Sequence, residues 1–130
     1  MSKPLVLIAD EQPHINLTLQ FLVKGLGVEV ISAYTGMDAI KLAIERKPAL
    51  VLMDVMMPDT DGYSACREVR AAWGDYQGQI WFITARGSNT DLSQAREVGA
   101  NRCITKPFDP DQVVKAVREA LGGTTRSSAA

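Results

Sequence analysis

Apolar residues follow two patterns along this chain. Short, nearly unbroken runs such as LVLIA and ALVLMD alternate with longer stretches in which apolar residues return every three or four positions. The first pattern suits strands covered on both faces, and the second suits amphipathic helices. Strands are predicted over 5–9, 28–33, 49–54, 80–84 and 102–105. Pro13 opens the first helix, with Ile15, Leu19, Leu22 and Leu26 on one face and Gly25 and Gly27 at its close. Thr35-Gly-Met-Asp38 reads as a capping box for the second helix, which carries Ile40, Ala43 and Ile44 and stops before Pro48. A turn from Pro58 to Gly62 leads into a third helix marked by Cys66, Val69 and Trp73. Leu92, Ala95 and Val98 outline a short, weakly amphipathic fourth helix ending at Gly99. Asp109-Pro110 starts the last helix, with Val113, Val117 and Leu121 on its face.

Five strand–helix units in succession predict a doubly wound α/β sandwich, a five-stranded parallel sheet of flavodoxin-like type. One domain over 1–121 accounts for the pattern. The stretch 122–130, GGTTRSSAA, is small and polar, and is expected to be a flexible tail or the start of a linker. Met1 reads as a natural start.

Composition narrows the function. Apolar residues make up 46% and charged residues 22%, an ordinary globular balance. A net charge of −1 offers no electrostatic case for direct nucleic-acid or membrane binding. The absence of a leader-like segment and of any long apolar run predicts a cytoplasmic protein. Cys66 and Cys103 are expected to be reduced and structural, and His14 to sit on the surface of the first helix.

In doubly wound sheets ligands collect at the carboxyl ends of the strands. The strand ends here are Asp10-Glu11, Asp54, Thr84-Ala85 and Lys106-Pro107. Each has an ordinary reading alone: a helix-capping acid, a turn-capping acid, a strand threonine, a solvated lysine. Three carboxylates on one edge would repel one another unless a cation intervenes, and an all-oxygen donor set suits Mg²⁺. A divalent ion, a lysine and a hydroxyl together suit a phosphoryl group, with a carboxylate as nucleophile. Asp54, on the central strand, is the leading candidate.

The segments LVLIADEQPHI, VLMDVMMPDTDG, FITAR and GANRCITKPF, in that order, resemble the receiver domain of two-component response regulators, the CheY-like family. The resemblance covers about residues 4–121. It implies that Asp54 is the phosphoacceptor and that Asp10, Glu11, Asp54 and the Met56 carbonyl hold Mg²⁺. It implies that Thr84 is the switch hydroxyl, that Lys106 contacts the phosphoryl group and that the bond to Pro107 is cis. It further implies that small Ala85 leaves access to the acceptor, and that Met56 and Arg86 tune how long the acyl phosphate lasts. The implied donor is a sensor histidine kinase or a histidine phosphotransfer protein. The implied output is a downstream protein target or output domain, reached through the fourth helix, fifth strand and fifth helix, with homodimerisation through that face as an option. Val114 and residues near Arg102 are candidates for this face, beside an ordinary reading of each as solvated surface. No turnover of an external substrate is expected.

Two positions depart from the family pattern. Glu11 stands where the second acid is usually aspartate, and Cys103 stands where an aromatic switch residue is usual. They leave open an alternative, a degenerate receiver that binds partners or dimerises without being phosphorylated. A flavodoxin is disfavoured because ADEQPHI lacks a glycine- or hydroxyl-rich phosphate loop. An aspartate-nucleophile phosphatase is disfavoured by Met56, where a second aspartate would be needed.

Overall fold

The computed structural model describes residues 3–85 and 89–122. The chain runs β1 (Leu5–Ala9), α1 (Pro13–Lys24), β2 (Glu29–Ala33), α2 (Gly36–Arg46), β3 (Leu50–Asp54), α3 (Gly62–Trp73), β4 (Gln79–Thr84), α4 (Asn89–Glu97), β5 (Arg102–Thr105) and α5 (Pro110–Val117). All five strands pair in parallel in the order β2-β1-β3-β4-β5. This is the doubly wound sandwich expected from the sequence.

Alternate residues of each strand feed two separate cores. Leu7, Val51, Met53, Ile80 and Phe82 pack under α2, α3 and α4, with Trp73 of α3 in the same layer. Val6, Ile8, Leu50, Leu52, Trp81 and Ile83 pack under α1 and α5. β3 is buried along its whole length, which explains its unbroken apolar run.

The helix signals mostly act as expected. Thr35 Oγ1 accepts from the Asp38 amide at 3.1 Å, and Asp109 caps α5 by accepting from the Asp111 amide. Lys47, at φ 45°, closes α2 in the left-handed conformation, so the helix ends at Arg46, before Pro48 as expected. One end differs. α5 ends at Val117 and relaxes into a π-turn over Arg118–Gly122, from which Leu121 still packs on the core.

The buried face of α1 contains a polar residue that apolar periodicity passes over. Asn16 is fully buried, and its amide donates to the carbonyls of Asp10 and Ala33, at 3.0 Å each. Its Oδ1 accepts from Gln20 at 2.7 Å. Asn16 therefore ties the ends of β1 and β2 to α1. Asn16→Ala is expected to cost about 1–2 kcal/mol, because buried acceptors lose their donors. Urea unfolding checks this, and an unchanged midpoint would refute it.

Arg70 staples the opposite layer. Its guanidinium donates to the carbonyls of Gly99 and Gly78 and to Asn101 Oδ1, at 2.7–3.0 Å. Asn101 Oδ1 also accepts from the Ile80 amide. Among the described residues, no helix is long and apolar enough to cross a membrane.

Candidate functional site

The strand order reverses between β1 and β3, and there the carboxyl ends of the two strands present Asp10 and Asp54. Both acids are buried, at 1% and 7% exposure. They tolerate this because Lys106, just past β5, reaches across the sheet edge. Its Nζ lies 3.0 Å from Asp10 Oδ2 and 3.0 Å from Asp54 Oδ2, with Gln12 Oε1 at 3.4 Å. Burial by itself would lower the pKa of this ammonium. Hydrogen bonds to Asp54 and Asp10, and their charges, outweigh burial and leave it above its ordinary value.

The other carboxylate oxygens are held by main chain. Asp10 Oδ1 accepts from the Gln12 amide at 2.9 Å, and Asp54 Oδ1 accepts from the Met56 amide at 3.0 Å. Each acid is thus oriented by a backbone N–H two residues on, with its second oxygen aimed at the lysine. The Lys106 amide donates to the Thr84 carbonyl at 2.7 Å, which registers the lysine against the end of β4, and the Lys106–Pro107 bond is cis. Thr84 is buried at that end, one position beyond Ile83, the residue paired with Asp54.

Asp10, Asp54 and Lys106 are therefore in direct contact, with Thr84 at the neighbouring strand end. Glu11 is exposed, and among the described residues no three His, Cys, Asp or Glu side chains group closely enough to hold a metal ion. The donor chemistry still fits Mg²⁺, which is commonly held by one or two carboxylates with water filling the remaining positions. Ala85 is exposed. Arg86 and the tail from 123 onward lie outside the described residues.

The other singled-out residues lie around this centre. Cys103, partly buried on β5, packs against the layer of α2, α3 and α4. Cys66 and Cys103 are thiols, not halves of a disulfide. Burial pushes the Cys66 thiol up to about 11, and its Sγ donates to the Val98 carbonyl. Such a thiol stays protonated and unreactive at neutral pH. His14 is exposed on α1 and Val114 is half-buried on α5.

The turn after β3 contains contacts that its sequence does not announce. Asp61 caps α3, accepting from the Ser64 amide at 2.8 Å. Asp59 accepts from the Gly36 and Met37 amides at 2.8 and 2.9 Å. Those amide bonds, Met37 first, hold the Asp59 carboxyl below its ordinary value. Gly62 sits where α3 leaves the sheet, and its amide donates to the Val55 carbonyl at 2.7 Å.

A family model described as response regulator receiver domain matches residues 6–118. Among solved structures, a CheY-like receiver domain protein from Methanospirillum hungatei JF-1 superposes with a TM-score of 0.86 at 21% identity, covering 97% of this chain and 99% of its own. Chemotaxis protein CheY4 of Vibrio cholerae gives 0.85 at 25% identity, covering 92% and 100%. The receiver domain of sensor histidine kinase PA1611 from Pseudomonas aeruginosa PAO1 gives 0.82 at 26% identity, covering 93% and 99%. That last structure has a magnesium ion coordinated in its active-site cleft.

Proposed function

This chain belongs to the response regulator receiver domain family, and on that premise we propose that it takes a phosphoryl group onto Asp54 from a phosphohistidine of a sensor kinase or phosphotransfer protein. The observation that carries the reading is the contact of Asp54 Oδ2 with Lys106 Nζ at 3.0 Å, at the switch point of the sheet.

In the reaction, a carboxylate oxygen of Asp54 attacks phosphorus. The nitrogen–phosphorus bond of the donor breaks, its electron pair returns to the imidazole, and an acyl phosphate forms on Asp54. Lys106 offsets negative charge on the phosphoryl oxygens, and the Met56 amide keeps the carboxylate in line. Thr84 donates its hydroxyl to a phosphoryl oxygen. Hydrolysis later returns the Asp54 carboxylate and inorganic phosphate. Asp10, Asp54 and the Met56 carbonyl would hold Mg²⁺ with water in the remaining positions, exposed Glu11 lying outside that group, and the ion would supply further charge neutralisation during transfer.

The added charge biases a two-state surface of α4, β5 and α5 toward a downstream target, an output domain or a second copy. Cys103 presents little surface there, so the signal leaves with a muted contribution from the usual aromatic position. This reading takes the donor kinase's phosphohistidine and the domain to share the cytoplasm, a compartment in which Cys66 and Cys103 would stay reduced.

Incubation with acetyl phosphate and MgCl₂, read by intact mass, tests the reading. A gain of one phosphoryl mass is expected, lost in Asp54→Asn and on chelation of the metal. No gain in the unsubstituted chain would favour the non-phosphorylated binding module instead.

A further inference from the structure

The turn from Val55 to Asp61 carries the group that orients the acceptor. Its neck is closed by the Gly62–Val55 bond at 2.7 Å and by an antiparallel bridge between Met56 and Asp61. Its tip is tied elsewhere, to the start of α2. There the Gly36 and Met37 amides donate to the two oxygens of Asp59, the Asp38 amide donates to Thr35 Oγ1, and the Ala39 amide begins the helical ladder to the Thr35 carbonyl. Every N–H of the first helical turn is accounted for, two of them by a residue more than twenty positions further on. The fit is close: a Cβ at Gly36 would overlap the Thr60 methyl group and stand 3.1 Å from Asp59 Oδ1.

Neck and tip together leave Met56 little freedom, and the Met56 amide fixes Asp54 Oδ1. Resting on the reading of Asp54 as acceptor, we infer that Asp59 is a positioning residue: by anchoring the β3–α3 turn to α2 it holds Met56 in place, and through Met56 it aims the Asp54 carboxylate. It touches no reacting atom. α2, which contributes no group to the site, becomes the abutment against which the acceptor is aligned.

The test compares Asp59→Ala with Thr35→Ala. Both remove an acceptor from the first turn of α2, but only the first releases the turn. Two quantities are read: hydrogen exchange of the Met56 amide, and the rate of mass gain from acetyl phosphate at saturating MgCl₂. In Asp59→Ala the Met56 amide is expected to exchange about tenfold faster, and phosphorylation to slow about three- to tenfold. Thr35→Ala should leave both within about twofold. Asp59→Asn, which keeps one acceptor oxygen, should fall between. Unchanged Met56 exchange in Asp59→Ala, or equal changes in the two alanine variants, would overturn the inference and leave Asp59 a plain helix cap. If the unsubstituted chain gains no mass, the acceptor reading fails, and Met56 exchange alone decides for or against Asp59.

Discussion

Lys106→Ala is expected to slow phosphoryl acceptance by about a hundredfold and to cost the fold about 2 kcal/mol at neutral pH. The lysine is the counter-charge for two buried acids, each 3.0 Å from its ammonium. Removing it leaves two carboxylates facing one another without compensation. Losing one partner of a buried pair costs more when the site is sealed. Here 16% of the lysine side chain is exposed, so a figure below the full range for buried pairs applies.

The pH dependence separates this cause from lost packing. In the unsubstituted chain the ammonium pKa is raised on folding. Its contribution is complete below the unfolded value and fades only as pH climbs through the alkaline folded value, so neutral stability is untouched. In the variant, protonating either acid relieves the repulsion. With that repulsion relieved, the stability deficit of the variant should shrink in acid. Urea titrations at neutral and mildly acidic pH measure this, and a deficit independent of pH would assign the loss to packing. Lys106→Arg tests whether charge alone suffices, since a planar fork replaces a point charge.

Gly62→Val should be the more damaging change to the fold, at about 3 kcal/mol or more, through overpacking. A Cβ at Gly62 would stand 2.8 Å from the Val55 Cα, 3.2 Å from the Asp54 carbonyl oxygen and 3.3 Å from the Phe82 ring. Two of these neighbours are backbone at the end of β3 and cannot rotate away. Phe82 is fully buried and packed edge-on against Tyr63 at 5.4 Å. Relief has to come from moving α3 off the sheet or displacing the strand end that carries Asp54. The variant should therefore lose phosphoryl acceptance in proportion beyond its loss of folded population. Denaturant unfolding combined with the mass assay checks both, and full acceptance in a destabilised variant would show that the strand end had not moved.

The layers of the fold were legible because they rest on periodicity. The runs 5–9 and 102–105 coincide with β1 and β5, and the other three differ from the observed strands by one residue at their starts. Parallel pairing followed from the strand–helix alternation, and parallel pairing at once placed Asp10, Asp54, Thr84 and Lys106 at one edge. What escaped was held by contacts that leave no periodic trace. Asn16 sits among apolar residues on α1 and bonds carbonyls 6 and 17 residues away. Asp59 looks like any acid in a turn, and its partners are 22 and 23 residues back. Arg70 reads as a solvated helix charge, yet it ties together two separate loops, the one before β4 and the one before β5. Gly62 reads as a turn glycine, when the constraint is the closeness of two backbones. In each case the partner lies on a different element, so one residue's chemistry becomes visible only once the chain is folded.

The two-layered core also gives the molecule separate optical reporters. Trp73 lies on the side of α2, α3 and α4, with its indole N–H bonded to the Ala43 carbonyl at 2.9 Å. Trp81 lies on the side of α1 and α5, bonded to Gln79, with the Arg102 guanidinium 4.9 Å from its ring centre. They are the only tryptophans in the chain. Replacing either by phenylalanine leaves a single tryptophan that sees one face of the sheet, so with excitation selective for indole a disturbance spreading from the phosphoacceptor edge can be timed on each side of the same fold.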